Sequence, residues 1–473
     1  MRGVKIPARN QSTLISWTLK RIKAPSRVRL FLKPSPDYPA SIPCVNPGDR
    51  VLAGQKIAGA GQGAFPIFSS VSGKVVQRAD FQHPWLGSRP ALEIAGDDRH
   101  ETAPGIGHER PRWPELDPGA LADILFESGV MELDQSGLSL SGSLERARRH
   151  KIHTVVVNGC ESQPYVTTDH ALLMSHSLEV VKGAEILRKI LGAEKIIVTL
   201  QSDALEVAEL VKSKIFFLKW AHAEVRVLPA RHPQEMVLPL AQELWNKDFS
   251  PQVRERIRIG TGDGTFALQS VLHEFGASVH NAGTAHAVYE AVALQKPFYE
   301  RPATVGGECV IEPRNLWLPL GISAEDAIKA CRGLMREPKA VLFGGPMLGK
   351  ALPSLDMPVT AGVRAVLALS KESVSVPPAE ACIHCGRCVE ACPVDISPAM
   401  ITLAAENGLY EETRDWGVDY CIDCGNCTYV CPAKRPMQDL IGLARLGLMA
   451  REQDVAAVPE QTGEGVYEEA QKE

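Results

Sequence analysis

Eight cysteines in two groups of identical spacing are the residues of this sequence best suited to chemistry. The first group is CIHCGRCVEACP, from Cys382 to Pro393, and the second is CIDCGNCTYVCP, from Cys421 to Pro432. Both follow the pattern Cys-x-x-Cys-x-x-Cys-x-x-x-Cys-Pro, which is typical of loops that bind 4Fe-4S clusters. The other four cysteines, Cys44, Cys160, Cys309 and Cys331, are isolated. The two groups therefore predict two 4Fe-4S clusters.

The spacing also predicts which cysteines share a cluster. In two-cluster proteins the first three cysteines of a motif hold one cluster, and the fourth reaches across to the other. One predicted ligand set is Cys382, Cys385, Cys388 and Cys431, and the other is Cys421, Cys424, Cys427 and Cys392. Two tetrahedral zinc sites are the alternative. Zinc sites usually join two close cysteines to a distant pair, so two runs of four followed by proline favour iron-sulfur clusters.

The chemistry of such clusters limits what this part of the chain does. A cubane whose irons all carry thiolates accepts one electron and has no open ligand position, so it relays charge without bond chemistry. Small residues such as Gly386 and Gly425 let backbone amides approach the sulfurs, which tunes the reduction potential. A hydride donor would require a flavin beside the clusters.

The rest of the 473 residues must position these loops, and their number predicts several domains. Net charge is −5 and the basic residues are scattered, which argues against a nucleic-acid partner. No apolar run reaches the length of a membrane span and the first residues do not resemble a signal peptide, so the sequence predicts a protein that stays in the cytoplasm.

Patterns along the chain predict a multidomain fold with α/β and α+β parts. The first hundred residues show short strands with turns like those of lipoyl domains, but no lysine lies between Lys56 and Lys74 to carry a swinging arm. Apolar strands then alternate with helices, as in a parallel sheet. The predicted units are a lipoyl-like β-rich unit (1–110), an α/β domain (115–255), an α+β unit (256–370), a two-cluster α-helical domain (375–450) and a disordered acidic tail (451–473).

One loop of the α/β domain is a candidate binding site. NGCESQPY, Asn158 to Tyr165, follows the strand HTVVVNG, and ligands of parallel sheets bind beyond the carboxyl ends of the strands. Three further features have plainer interpretations. GTGDGTF, Gly260 to Phe266, is interpreted as a plain turn in preference to a phosphate loop. Ser12 to Ala24 is interpreted as packing on the first domain in preference to lying on a membrane surface. Cys160 is interpreted as a buried small residue in preference to a redox thiol.

The order of these parts resembles the RnfC subunit of the Rnf ion-translocating electron transport complex. The likeness is strongest at NAGTAHAV (Asn281 to Val288), FGGPMLG (Phe343 to Gly349) and the two cysteine motifs. The α/β and α+β parts are similar to the flavin subunit of respiratory complex I, where the second is a soluble ligand-binding β-grasp (SLBB) domain. The resemblance implies a peripheral subunit on the cytoplasmic face of the bacterial inner membrane, with membrane and iron-sulfur subunits as partners.

Family members of this kind take hydride from NADH onto FMN, and the resemblance places a flavin pocket near Asn158, Gly159, Glu161 and Tyr165. Three pocket segments depart from the family pattern. The glycine-rich loop GLGGAGFPT is replaced within Glu127 to Ala147, a carboxylate becomes Gln163, and His232 to Leu238 reads HPQEMVL. Met131, Leu133 and Met236 are then expected near the pocket.

Three functional hypotheses therefore stay open at this point. The first is a relay through two clusters that exchanges electrons with a soluble ferredoxin, flavodoxin or cytochrome. The second is an NADH dehydrogenase subunit with bound FMN. The third is a structural adaptor whose clusters only hold the C-terminal domain together.

Overall fold

The computed structural model describes residues 3–8, 13, 18–59, 63–134, 137–245, 272–374 and 377–457. The chain divides into two compact units, Gly3–Val376 and Pro377–Glu473. Within the described residues no helix is both long enough and apolar enough to cross a membrane. The GTGDGTF segment and most of Ser12 to Ala24 lie outside the described residues.

The N-terminal part of the first unit is built from short antiparallel strands. After β1 (Lys20–Arg21), the strands are β2 (Arg27–Phe31), β3 (Arg50–Val51), β4 (Lys56–Ala58), β5 (Ile67–Phe68), β6 (Gly73–His83) and β7 (Gly87–Gly96). Four of them form a sheet in the order β2-β7-β6-β3, and β4 pairs with β5. Both sheets share one apolar core. Strand β1 is not part of these two sheets. It pairs in parallel with a strand that contains Leu316.

A parallel sheet forms the centre of the first unit. Its elements are α1 (Pro118–Glu127), α2 (Leu140–Ala147), β8 (Thr154–Asn158), α3 (Thr168–Leu191), β9 (Lys195–Gln201), α4 (Leu205–Leu218), β10 (Ala223–Leu228), α5 (Val237–Trp245), β11 (Ala277–Asn281) and α6 (Ala282–Ala293). The order is β10-β9-β8-β11, with every pair parallel. Buried valines and isoleucines fill β8 and β9, because helices cover both faces.

The predicted boundary between residues 255 and 256 is wrong. Strand β11 pairs with β8 in the parallel sheet, and α6 packs against α3, so both belong to the α/β domain. Two facts explain the error. Strand pairing across more than a hundred residues leaves no local signature, and β11 is only five residues long.

A six-stranded mixed sheet follows. It contains β12 (Glu300–Gly306), β13 (Arg314–Pro319), β14 (Ala340–Phe343), β15 (Lys350–Ala351) and β16 (Ala365–Leu369), with helices α7 (Ala324–Ala330) and α8 (Lys371–Val374). The order is β1-β13-β12-β16-β14-β15. Helix α7 starts at its cap, where the Ser323 hydroxyl accepts a hydrogen bond from the backbone amide of Asp326.

The second unit is helical and repeats itself. It contains α9 (Arg387–Glu390), α10 (Pro398–Glu406), α11 (Asn426–Val430) and α12 (Met437–Ala457), with two short 3-10 turns between α10 and α11. Each cysteine motif contains a short helix, and a longer helix follows each motif. The prediction of a disordered tail from residue 451 is wrong for residues 451–457, which continue α12; residues 458–473 lie outside the described residues.

Candidate functional site

The two cysteine loops of the second unit have the same backbone conformation. The spacing of 39 residues that separates the two motifs also relates three pairs of residues with a left-handed backbone. These pairs are His384 and Asp423, Gly386 and Gly425, and Asp395 and Lys434. Left-handed residues turn the chain tightly and point successive backbone amides toward one centre. Both loops are therefore shaped to surround an anionic group.

Four cysteines from the two motifs line one cavity. They are Cys392 of the first motif and Cys421, Cys424 and Cys427 of the second, with Gln438 and Ile441 of α12 on its wall. The cross-motif cysteine is therefore beside the three that the spacing assigned to the same cluster. In the part of the chain that the structure describes, no three His, Cys, Asp or Glu side chains gather closely enough for a single metal ion.

The other predicted ligand set is partly brought together. Cys388 and Cys431 pack in one small core with Ala433 and Met437. Cys382 is half-buried and Cys385 is exposed. The first loop is thus the more open of the two, because the equivalent residues of the second loop are half-buried or buried.

The thiols of the second loop need a positive partner to ionise. Burial raises the pKa of Cys424 and of Cys427 to about 12 each, so that neither would be a thiolate at neutral pH by itself. The cationic irons of a cluster deprotonate coordinating thiols and neutralise their charge. The donor set, its convergence and its loop amides therefore fit a 4Fe-4S cluster.

Arg445 of α12 binds one side chain and two backbone carbonyls at the second loop. Its guanidinium donates to the Asp423 carboxylate at 2.5 Å and to the carbonyl oxygens of Cys421 and Val418. Burial works against its charge, but Asp423 and Cys421 outweigh that effect and raise its pKa. A full positive charge is thus fixed beside one predicted cluster ligand.

Replacing Arg445 with glutamine is expected to lower the reduction potential of the second cluster. Loss of a nearby positive charge disfavours the added electron, by on the order of 50 mV for charges roughly 14 Å apart and an effective dielectric constant near 20. A redox titration followed by electron paramagnetic resonance measures the potential. Arg451→Gln, at an exposed position, is the control, and equal shifts in both variants would refute a specific role of Arg445.

The candidate flavin residues lie at the carboxyl end of β8, as predicted, but they bind the protein itself. The side-chain amide of Asn158 donates to the backbone carbonyl of Glu235 at 2.9 Å, and its side-chain oxygen accepts from the backbone amide of Cys160 at 3.1 Å. Gly159 lies under Leu173, where a β-carbon would come within 2.7 Å of the leucine side chain. Both residues are therefore explained by contacts within the chain.

Glu161 belongs to a buried charge cluster that also contains Asp169 and Arg364. The Arg364 guanidinium contacts both carboxylates, at 3.4 Å for Glu161 and closer for Asp169. The side-chain amide of Asn281 donates to the Asp169 carboxylate at 2.7 Å. Burial works against the charge of Arg364, but Asp169 and Glu161 outweigh it and raise its pKa. We call Glu161, Asp169 and Arg364 the buried charge cluster.

Tyr165 is held in an uncommon backbone conformation. Its φ is 68°, which an aromatic residue adopts only where the surrounding structure requires it. Its amide donates to the Ala8 carbonyl at 2.8 Å, and its hydroxyl donates to the Glu308 carboxylate. Gln163, which replaces the family carboxylate, accepts a hydrogen bond from the Leu348 amide at 3.0 Å.

A hydrophobic side chain lies where a parallel sheet would bind a phosphate. The amino end of α6 follows β11 directly, and such a helix end attracts anions. Here the Leu133 amide donates to the Thr284 hydroxyl at 2.8 Å, and the Leu133 side chain packs against Gly283. Leu133 is 1% exposed.

The residues around Leu133 are equally closed. Met131 is 2% exposed, and the Glu132 carboxylate contacts the buried His280 ring at 2.9 Å. The segment that replaces the glycine-rich loop is thus part of the hydrophobic core. Among the described residues, Leu133 and these hydrogen bonds within the chain therefore argue against FMN at this end of the sheet.

The third departing segment is tied to the same loop. Ser162 contacts the ring of His232 at 2.8 Å and also donates to the Glu235 carboxylate. Burial works against ionisation of Glu235, but His232, Ser162 and Arg364 outweigh it and lower its pKa to about 2. Met236 is half-buried beside these residues. Cys160 is buried, and burial raises its pKa well above the ordinary value, as expected of an inert thiol.

Glu161→Gln is expected to remove a pH dependence of stability. Burial raises the pKa of Glu161 to about 7 and Asp169 adds to this, although Arg364 opposes it. The folded chain therefore keeps a proton that the unfolded chain loses between about pH 4.5 and 7, and stability falls as the pH rises through that window. Above pH 7 the variant should gain on the order of 2 kcal/mol relative to the wild type.

Thermal unfolding at pH 5 and pH 8 measures that difference. Glu337→Gln, at an exposed position, is the matched control and should not change with pH relative to the wild type. A Glu161→Gln variant that follows the wild type at both pH values would contradict a proton on Glu161.

Three family models match the chain. The RnfC barrel sandwich hybrid domain matches residues 1–99, the Nuo51 FMN-binding domain matches residues 125–290, and a 4Fe-4S dicluster domain matches residues 376–432. The second range ends inside α6, in agreement with the place of β11 in the parallel sheet.

Curated relatives cover most of the chain. The C subunit of the proton-translocating ferredoxin:NAD(+) oxidoreductase complex of Clostridium ljungdahlii is 31% identical over 376 residues, 79% of this chain and 77% of the relative. The C subunit of the Na(+)-translocating complex of Acetobacterium woodii is 29% identical, over 86% of this chain and 88% of the relative. The C subunit of the ion-translocating oxidoreductase complex of Rhodobacter capsulatus is 27% identical, over 84% and 73%.

Among solved structures, the NAD+-reducing NiFe hydrogenase in its H2-reduced state matches with a TM-score of 0.49 and 16% identity. The match covers 75% of this chain and 68% of the hydrogenase chain.

Proposed function

Because the chain belongs to the RnfC family of Rnf-type ion-translocating oxidoreductase complexes, we propose that it relays single electrons through two 4Fe-4S clusters to other subunits of such a complex. The relay is coupled to ion movement by membrane subunits, and this chain contributes the electron path only. NADH oxidation is not part of its own activity. Its position is peripheral, on the cytoplasmic face of the bacterial inner membrane.

The convergence of Cys392 with three cysteines of the other motif carries this proposal. The first cluster is held by Cys382, Cys385, Cys388 and Cys431, and the second by Cys421, Cys424, Cys427 and Cys392. When bound, each cluster takes up or releases one electron. The protein surrounds the second cluster with buried thiols and with Arg445, whose charge stabilises the reduced form.

The first unit then serves as a scaffold, and two of its parts have folds that also occur in other proteins. The N-terminal β-rich unit is a lipoyl-type barrel without a carrier lysine, and the six-stranded sheet with α7 is an SLBB-type β-grasp unit. The α/β domain retains the parallel sheet of a flavin domain, but its Leu133 and its buried charge cluster close the pocket. Electrons therefore enter from another protein, of the ferredoxin, flavodoxin or cytochrome class.

A second candidate function is NADH oxidation through bound FMN in this chain. The match of the Nuo51 FMN-binding domain to residues 125–290 favours it, and the packing of Leu133 on Gly283 opposes it. A structural adaptor is the third candidate, and it predicts clusters that no physiological donor reduces.

Cluster reduction by different donors tests the relay. Under anaerobic conditions, a reduced ferredoxin or flavodoxin should bleach the visible absorption of the clusters, whereas NADH alone should not. Dithionite serves as the positive control, because it reduces accessible clusters without a protein partner. Rapid bleaching by NADH would overturn the relay in favour of a flavin-bearing subunit, and failure of every protein donor would favour the adaptor.

A further inference from the structure

Two adjacent phenylalanines at the carboxyl end of α4 project into solvent. Phe216 is 85% exposed and Phe217 is 73% exposed, whereas Val207, Val211 and Ile215 bury the opposite face of the helix. Large aromatic side chains are rarely left in water as a contiguous pair unless they bind something. This pair has no role in the cluster loops or in the closed pocket.

The phenylalanines lie at the amino edge of the parallel sheet, opposite the edge that holds the closed pocket. The residues just before three neighbouring strands meet there. The Lys195 amide donates to the His153 carbonyl at 3.0 Å, and the Ile196 amide donates to the His222 carbonyl at 2.8 Å. The loops before β8, β9 and β10 therefore form one continuous surface with the end of α4.

This surface is basic. Arg149 and Lys151 precede β8, Lys195 begins β9, and Lys214 and Lys219 flank the two phenylalanines. Lys214 lies three residues before Phe217, on the same face of α4.

Acidic residues also lie near this edge: Glu194, whose side chain is 75% exposed, contacts the His153 ring at 3.5 Å, and two others pair with lysines. Glu224 contacts Lys195 at 3.0 Å, and Glu209 contacts Lys212 at 2.7 Å. Among the residues that the structure describes, Arg149, Lys151, Lys214 and Lys219 make no ion pair. The surface thus combines unpaired cations with exposed aromatic rings.

We propose that this surface, defined by Phe216, Phe217, Lys214, Lys219 and the basic residues before β8, binds the anionic lipid surface of the membrane. The rings enter the headgroup region, and the ammonium groups remain at the level of the lipid phosphates. A second copy of the chain would bring two basic faces together, which repel each other. The choice of lipid rests on the proposed membrane location of the complex.

Vesicle sedimentation tests the proposal with the full chain carrying its clusters. Vesicles of phosphatidylglycerol and phosphatidylethanolamine should bind the protein at low salt, and vesicles of phosphatidylcholine should bind it far less. The double variant Phe216→Ser/Phe217→Ser should weaken binding about tenfold or more. The double variant Lys214→Gln/Lys219→Gln should weaken it about twentyfold and reduce its salt dependence.

Leu205→Ser is the matched control, because Leu205 is 56% exposed at the other end of α4. It should bind vesicles as the wild type does. Equal binding to both kinds of vesicle, no binding at all, or unchanged binding by the phenylalanine variant would each overturn the proposal. Iron content and cluster reduction should be unchanged in every variant, so a failure here is distinct from a failure of the electron relay.

Discussion

Replacing Cys424 with alanine is expected to remove one cluster and leave the other, so that iron falls from about eight to about four atoms per chain. Cys424 is buried in the cavity that Cys392, Cys421 and Cys427 also line. A cubane needs four thiolates, and its loop folds around it, so loss of one ligand from a buried site releases the whole cluster. Iron analysis after anaerobic reconstitution measures the loss.

Cys392→Ala gives the prediction its sharpest form. Although Cys392 belongs to the first motif, its loss should remove the same cluster as Cys424→Ala, and the paramagnetic resonance spectra of the two reduced variants should agree. Cys309→Ala, at a buried cysteine outside both motifs, should retain about eight irons. If Cys392→Ala instead reproduced the spectrum of Cys388→Ala, each motif would hold its own cluster and the cross-motif assignment would be wrong.

Breaking the buried charge cluster is expected to cause a large loss of stability in the first unit. Arg364→Met leaves the Asp169 carboxylate buried without its cation, beside Glu161. Removing one partner of a buried ion pair costs about 3–5 kcal/mol, because the remaining charge is uncompensated. Thermal or denaturant unfolding of the first unit measures the change.

Arg336→Met is the control for this prediction. The Arg336 guanidinium is about half exposed and contacts Glu372 at 3.7 Å, and an exposed pair of this kind contributes about 1 kcal/mol or less. A loss of stability no larger in Arg364→Met than in Arg336→Met would contradict a structural role of the buried charge cluster. Asp169→Asn should partly rescue Arg364→Met, since it removes the uncompensated charge.

The cluster loops were predictable from sequence because their chemistry is local. Four cysteines and a proline within twelve residues fix both the ligand type and the shape of the loop. The 39-residue repeat extends that prediction to the helices that follow. The alternation of strands and helices likewise predicted the parallel sheet, because β8 and β9 are buried, mainly apolar runs.

The buried charge cluster was not predictable in the same way. Arg364 and Asp169 are separated by 195 residues, and neither lies in a pattern that announces an ion pair. The same limit applies to β11, whose partner strand is far away in the sequence. The sequence offered one signal, an arginine directly before an apolar strand. Such an arginine would be buried with the strand, and arginine is almost never fully buried unless it is paired.

The closed pocket changes the meaning of the departures from the family pattern. Loss of the glycine-rich loop could have left an open cleft for another ligand. Instead, Leu133 packs on Gly283 and its amide binds Thr284, so the former loop completes the hydrophobic core. Under the proposed function, the clusters are the redox groups of this chain.

Joint determination of iron and flavin in the full chain, purified and reconstituted without oxygen in the presence of FMN, tests this account most directly. We expect about eight irons per chain from the two ligand sets and no flavin fluorescence in an acid extract. Fewer than about five irons would contradict the two-cluster relay. One flavin per chain would contradict the closed pocket and make the clusters the exit from a flavin instead of the entrance for electrons.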